Sequence, residues 1–216
     1  MGFFATLFGG QKESLTASWE ADPGVLLEFD AQRHTLNGVR LGVPVERLRG
    51  LGPVEDWRAL RVGDLVYGSR GLRLGVSEGL LDSFSLVWSS PFEPGFRPFP
   101  GHTLLGGREI GLGSSCTEAE LRAWFGEPYW RDADEDETLL FYEWSDCEWQ
   151  VELAPEGRLR SLLVVREPLL ADAQARDSYG VSRPWPPPPC CSSRHRRRLS
   201  PRPRTPSGCT TPTAPR

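Results

Sequence analysis

Several residue types are scarce in this chain of 216 residues, and each shortage removes a class of function. There is one lysine against 24 arginines, one asparagine (Asn37), one isoleucine (Ile110) and no methionine after the first. These scarce residues share AT-rich codons, so the preference for arginine reflects a GC-rich genome rather than a choice of chemistry. Cysteines number five, and Cys190, Cys191 and Cys209 lie in the last part of the chain. Two cysteines in the body, Cys116 and Cys147, make no disulfide framework. His34, His102 and His195 are scattered and no Cys-x-x-Cys occurs, so zinc-type spacing is missing and no metal or cofactor is expected. The opening "MGFFATLF" is too short to cross a bilayer and carries no basic n-region. Gly2 with Thr6 fits only the loose myristoylation pattern. A cytoplasmic location is the expectation, and membrane contact is not, beyond a peripheral role for Phe3, Phe4 and Phe8.

Charge is unevenly spread. Residues 182–216 hold eight arginines and no acid, which leaves 17 basic against 29 acidic side chains in the first 181, a net of −12. An acidic body argues against nucleic acid as its partner. The basic stretch has ten prolines and, apart from Trp185 and Leu199, almost nothing to bury. It is expected to be a disordered Pro/Arg-rich tail, with polyproline II at Pro186–Pro189 and nonspecific nucleic-acid contact through Arg194–Arg198, unless it is GC-rich DNA translated out of frame. On this reading residues after about 182 add no stability.

The body echoes itself. "HTLNGVRLGVPVERLRGLGP" from His34 and "HTLLGGREIGLGSSCTEAELRAWFGEP" from His102 both open His-Thr-Leu, pass a glycine turn and a Leu-Gly, and end on glycine and proline. Tyr67 and Tyr142 lie 75 residues apart, as do Pro53 and Pro128. A recurring offset of this size reads as tandem duplication. The expected fold class is α+β: two tandem units, each a short helix packed on an antiparallel β-meander. The divisions are an N-terminal amphipathic segment (1–20), a first unit (21–88), a Pro/Phe-rich linker (89–101), a second unit (102–181) and the tail (182–216). Gly111-Leu112-Gly113 is then a strand-to-helix turn. The third glycine of a dinucleotide fingerprint is missing, since Cys116 stands there, and no acid can be placed at the end of a second parallel strand.

Local signals in the second unit are sharp. Thr117-Glu118-Ala119-Glu120 is a capping box, Leu121, Trp124 and Phe125 share one helical face, and Gly126 with Pro128 ends the helix. The first unit's helix is shorter, about 44–50. Strands follow: Leu140, Tyr142 and Trp144 alternate with Phe141 and Glu143, and Trp149, Val151 and Leu153 alternate after them.

This pattern resembles the bacterial scaffold shared by the outer-membrane assembly lipoprotein family BamE (SmpA/OmlA) and the β-lactamase inhibitor protein. The matching residues are Gly113, Glu118 and Leu121, Phe125-Gly126-Glu127-Pro128, the aromatic strand around Tyr142 and the turn at Gly157 before Leu159; they fall within about 30–165. The resemblance implies tandem units and binding of a protein across an open sheet; with no lipobox cysteine, the outer-membrane role does not carry over.

Function follows from what can converge. "DADEDE" at 132–137 brushes the calcium-loop pattern, but Glu137 stands where the loop needs glycine, so a solvated acidic loop is expected. No catalytic constellation is visible. The expectation is a noncatalytic protein-binding protein of bacterial type, an immunity or inhibitor protein, with an unidentified protein as partner. Its candidate partner-binding residues are Tyr129, Trp130, Tyr142, Trp144 and Trp149, from the strand face turned away from the helix. The alternative is a small hydrolase with His102, Cys116 or Glu143 at the sheet mouth, or a peripheral structural protein.

Overall fold

The computed structural model describes residues 15–55, 63–89 and 95–185. The N-terminal phenylalanines, part of the linker and the chain from Pro186 onward lie outside the described residues. None of the helices described is long and apolar enough to cross a membrane.

The elements run β1 (Glu28–Asp30), β2 (Thr35–Leu36), β3 (Asp64–Tyr67), β4 (Leu72–Ser77), β5 (Leu80–Val87), β6 (His102–Leu105), β7 (Arg108–Glu109), α1 (Glu118–Phe125), β8 (Trp130–Ala133), β9 (Thr138–Glu143), β10 (Glu148–Leu153), β11 (Leu159–Val165) and α2 (Ala173–Ser178). They form a seven-stranded sheet of order β3-β4-β5-β11-β10-β9-β8 and a four-stranded sheet of order β2-β1-β6-β7.

This overturns the expected fold class. Among the described residues the protein is mostly β, with two short helices, and it is not a pair of helix-on-meander units. Two features of the sequence explain the difference. First, the edges of the two meanders pair: β5 runs antiparallel to β11, with Phe84 opposite Val164 and Leu86 opposite Leu162, so one sheet takes strands from both stretches. An unpaired strand edge exposes a row of backbone donors and acceptors, and joining β5 to β11 removes two of them. Second, the segments expected to lead each unit form the smaller sheet instead. There β1 lies parallel to β6, with Phe29 opposite Thr103.

The helices also differ from one another. Thr117 and Glu120 close the capping box on α1, and Gly126, at φ 83°, ends it. The stretch expected as the first unit's helix is only a 3₁₀ turn, Val45–Leu48. Pro44 before it and glycines at 42, 50 and 52 leave too short a run for an α-helix. A 3₁₀ turn still brings positions i and i+3 to one side, and Val45 and Leu48 are both buried.

The core lies between the inner face of the large sheet and a cover made by β1 and α1. Phe29 of β1 meets Phe84 at 5.8 Å and Trp149 at 5.4 Å between ring centroids. Phe125 of α1 meets Trp149 at 5.0 Å and Tyr142 at 6.2 Å. Gly71 opens β4 at φ 57°, and a Cβ there would collide with the backbone of Val87, Arg97 and Phe99. Only glycine lets the linker and the end of β5 approach so closely. Phe99 itself is buried against Trp88, 6.0 Å away.

The outer face of the large sheet is not uniformly open. Residues 166–185 fold back over its β8–β10 end, and the chain that the sequence assigned to the tail takes part. Arg183 Nε stands 3.1 Å from Glu143 Oε2, close as an ion pair though not aligned for a hydrogen bond. The Trp185 ring lies 5.1 Å from the Arg176 guanidinium. The expectation that nothing after 182 stabilises the body is therefore corrected for Arg183 and Trp185. Ending the chain after Val181 is predicted to cost about 1–2 kcal/mol and to lower the thermal midpoint by roughly 3–6 °C, whereas ending it after Trp185 changes the midpoint by less than about 1 °C. Calorimetry of the two truncations against the full chain checks this.

Candidate functional site

The five aromatic residues singled out from the sequence do not form one surface. Tyr142 and Trp149 lie in the core, 3% and 0% exposed. The alternation along β9 is as read, but both faces of the strand are covered at this end. Leu140 and Tyr142 point to the core, while Phe141 and Glu143 lie under the C-terminal segment. Trp130 stacks on Phe141 at 4.4 Å and touches Tyr179 at 5.4 Å. Tyr129 donates its hydroxyl proton to Glu148 Oε2 at 2.6 Å. Farther along, this face carries the half-buried Arg73, Gly75, Ser83, Ser85 and Ser161, so it is polar rather than aromatic.

Two acids are buried there. Glu143 and Glu148 stand opposite each other on β9 and β10, at 6% and 0% exposure. Like charges directly across a ladder repel, and a buried carboxylate needs partners. Arg176 of α2 supplies one set: its Nη2 donates to Glu143 Oε1 at 2.5 Å and its Nε donates to Leu170 O at 2.8 Å. Its guanidinium also lies 4.9 Å from the Tyr129 ring. Glu148 accepts from Tyr129, from Gln150 Nε2 at 2.8 Å and from the backbone of Leu169 at 3.1 Å. Every group here is engaged, so the arrangement clamps the C-terminal segment to the sheet.

The residues of the alternative enzymatic reading do not converge. His102 is exposed at the start of β6, with its Nδ1 2.7 Å from Glu109 Oε1, and that contact raises its pKa above the usual histidine value. Cys116 is buried ahead of α1, and burial pushes its thiol up to about 12. Glu143 is under Arg176. No hydrogen bond or ion pair among the described residues joins any two of the three. In the acidic loop, Asp134 accepts the backbone N–H groups of Asp136 and Glu137 at 2.8 and 2.9 Å, which lowers its pKa and uses it as a turn former. Strand β8 takes Asp132, so only the turn itself is loop.

A concave site lies elsewhere, where three pieces of chain meet. The β1–β2 turn contributes Gln32, Arg33 and His34, the end of α1 contributes Trp124 and Phe125, and the β9–β10 turn contributes Trp144 and Asp146. Together with Arg40 and Leu105 they line a cleft of about 540 Å³. Each piece is fixed locally. Asp30 Oδ1 accepts the backbone N–H groups of Gln32 and Arg33, both at 3.0 Å, and so shapes the β1–β2 turn. Trp144 N donates to Cys147 O at 2.9 Å and closes the β9–β10 turn. The His34 ring lies 5.0 Å from Trp144 and 5.4 Å from Trp149, packed between the cleft and the core. Its backbone holds φ 54°, an uncommon conformation for a residue with a side chain.

The cleft has aromatic walls and a charged rim. Trp124, Phe125 and Trp144 are half-buried, whereas Arg33, Arg40 and Asp146 are exposed. Burial lowers the pKa of His34 despite the carboxylates of Asp146 and Asp30 nearby, so the ring is neutral at pH 7. Of the five candidate residues only Trp144 lines this cleft. His34, Arg33, Arg40 and Asp146 were missed. Trp124 and Phe125 could be read as one helical face, but no spacing signals that residues 31–34 fold beside 144–147.

No protein-family model matches the chain, and no curated protein matches it. Among solved structures, the chain is similar to a DUF4309 family protein (YjgB) from Bacillus subtilis, at 12% identity and a TM-score of 0.41, over 61% of this chain and 84% of that one. A likeness at this level carries no functional argument.

The clamp on the outer face yields a test. Arg176→Ala leaves Glu143 buried and short of its main partner, and is predicted to destabilise by about 3–5 kcal/mol. Replacing both, Arg176→Met with Glu143→Leu, is predicted to recover most of that loss, because Arg183 reaches water. Urea denaturation of the three proteins measures it.

Proposed function

We propose that this is a noncatalytic, cytoplasmic protein-binding protein of bacterial type, acting as an immunity or inhibitor protein, and that it engages its partner at the cleft between the β1–β2 turn, the end of α1 and the β9–β10 turn. The observation that carries this reading is the composition of the cleft. Three half-buried aromatic rings stand behind two exposed arginines, on a body whose overall charge is negative. Aromatic residues and arginine are the types that anchor protein interfaces, with lysine and small polar residues contributing less. A partner side chain with an apolar stem and an acidic tip suits such a site: the stem packs on Trp144 or Trp124 and the acid meets Arg33 or Arg40. The serine-rich outer face offers no comparable anchor. The buried free thiols of Cys116 and Cys147 accord with a reducing compartment.

Site-specific photocrosslinking in the native host tests the location. A photoreactive residue at Gln32, on the cleft rim, is predicted to trap one discrete partner, and Arg33→Glu with Arg40→Glu to reduce the yield at least about tenfold. The same probe at Ser85, on the outer face, is predicted to trap none. A partner trapped from Ser85 and not from Gln32 would move the interface to the open sheet.

A further inference from the structure

We propose that His34, Asp146 and Cys147 form a binding site for a divalent transition-metal ion of the zinc class, set in the wall of the cleft. The proposal goes beyond the protein-binding reading and does not depend on a protein partner. One imidazole nitrogen, one carboxylate oxygen and the Cys147 sulfur lie within 4.8 Å of one another. Nitrogen, oxygen and sulfur in this combination suit a borderline-soft ion, with bonds of about 2.0–2.3 Å. Donors around a tetrahedral ion stand roughly 3.3–3.8 Å apart on those bond lengths, so closure requires a shift of about 1 Å. Asp146 can supply it, since its side chain is 52% exposed on a turn.

The other two donors are already held. Cys147 is buried, and the His34 side chain, 13% exposed, is fixed between Trp144 and Trp149. That imidazole has no good hydrogen bond among the described residues. Its Nε2 is 4.0 Å from Asp146 Oδ1, and its buried Nδ1 has no partner. A buried ring nitrogen without a partner is costly, and ligation of the ring gives one nitrogen a bond. Around the ring, the carboxylates of Asp146 and Asp30 stand against the guanidinium groups of Arg40 and Arg33, the latter paired with Asp30. On binding, Cys147 coordinates as a thiolate and its proton passes to solvent. Three protein ligands leave a fourth position for water or for an oxygen donor entering the cleft.

Sequence reasoning could not reach this site, because His34 is separated from Asp146 and Cys147 by more than a hundred residues. The test uses the full chain with Cys190→Ser, Cys191→Ser and Cys209→Ser, which removes the thiols of the tail. The reduced protein is titrated with Co²⁺ near neutral pH. One equivalent is expected to bind with thiolate-to-cobalt charge-transfer absorption, and Zn²⁺ to displace it. Cys147→Ser is expected to abolish the absorption and Cys116→Ser to leave it unchanged. Asp146→Asn, on the exposed turn, keeps the fold by circular dichroism and is expected to weaken Co²⁺ binding at least about tenfold. No charge-transfer absorption in the parent, absorption that survives Cys147→Ser, or equal affinity in Asp146→Asn would each overturn the site. If Cys147→Ser does not fold, Asp146→Asn decides.

Discussion

The pairing of β5 with β11 is the constraint on which the rest of the structure depends. It places Leu86 opposite Leu162 and Phe84 opposite Val164, four side chains at most 2% exposed. Two meanders that would each present a raw edge become one sheet with a single apolar inner face. That face is too broad for one helix of eight residues to cover. The β1–β2 and β6–β7 hairpins complete the cover, and Phe29 at its centre touches rings from both halves of the sheet. The cleft lies where this cover stops, between a hairpin turn and the end of α1. Its shape follows from the size of the sheet rather than from any local motif.

The outer face obeys a different constraint. Glu143 and Glu148 face each other across β9 and β10, an arrangement that needs counter-charge and hydrogen-bond donors from another part of the chain. The segment after β11 provides them in Arg176, Arg183 and the backbone of Leu169. It also brings Tyr179 onto Trp130. The aromatic end of the outer face is thereby occupied from within the chain, and the cleft, with the exposed Arg33 and Arg40 at its rim, lies on the opposite side of the sheet.

Local chemistry was legible in the sequence and long-range pairing was not. The capping box at Thr117, the glycine stop at 126 and the alternation along β9 and β10 are all short-range consequences of residue type, and each is present in the structure. The edge-to-edge choice between β5 and β11 depends on two strands about 80 residues apart, both apolar on one side, with no residue that marks them as partners. The His-Thr-Leu echo shows the same limit. His34 sits in the turn before β2, whereas His102 begins β6, so equal tripeptides occupy unequal places. The five candidate aromatics do not share one surface for a related reason: alternation tells which residues share a face, not whether that face is covered. Trp185 and Arg183 were assigned to the tail by composition, which averages over a stretch and cannot see that its first residues find Arg176 and Glu143.

Residues on both sides of the linker form one cooperative body through the β5–β11 seam. Native-state amide hydrogen exchange measures it most directly. The inner amides of β4, β5, β10 and β11 are expected to exchange slowest and with one common free energy, equal to that of global unfolding. Two distinct free energies, one shared by β3–β5 and another by β9–β11, would mean that the halves open independently and would contradict it.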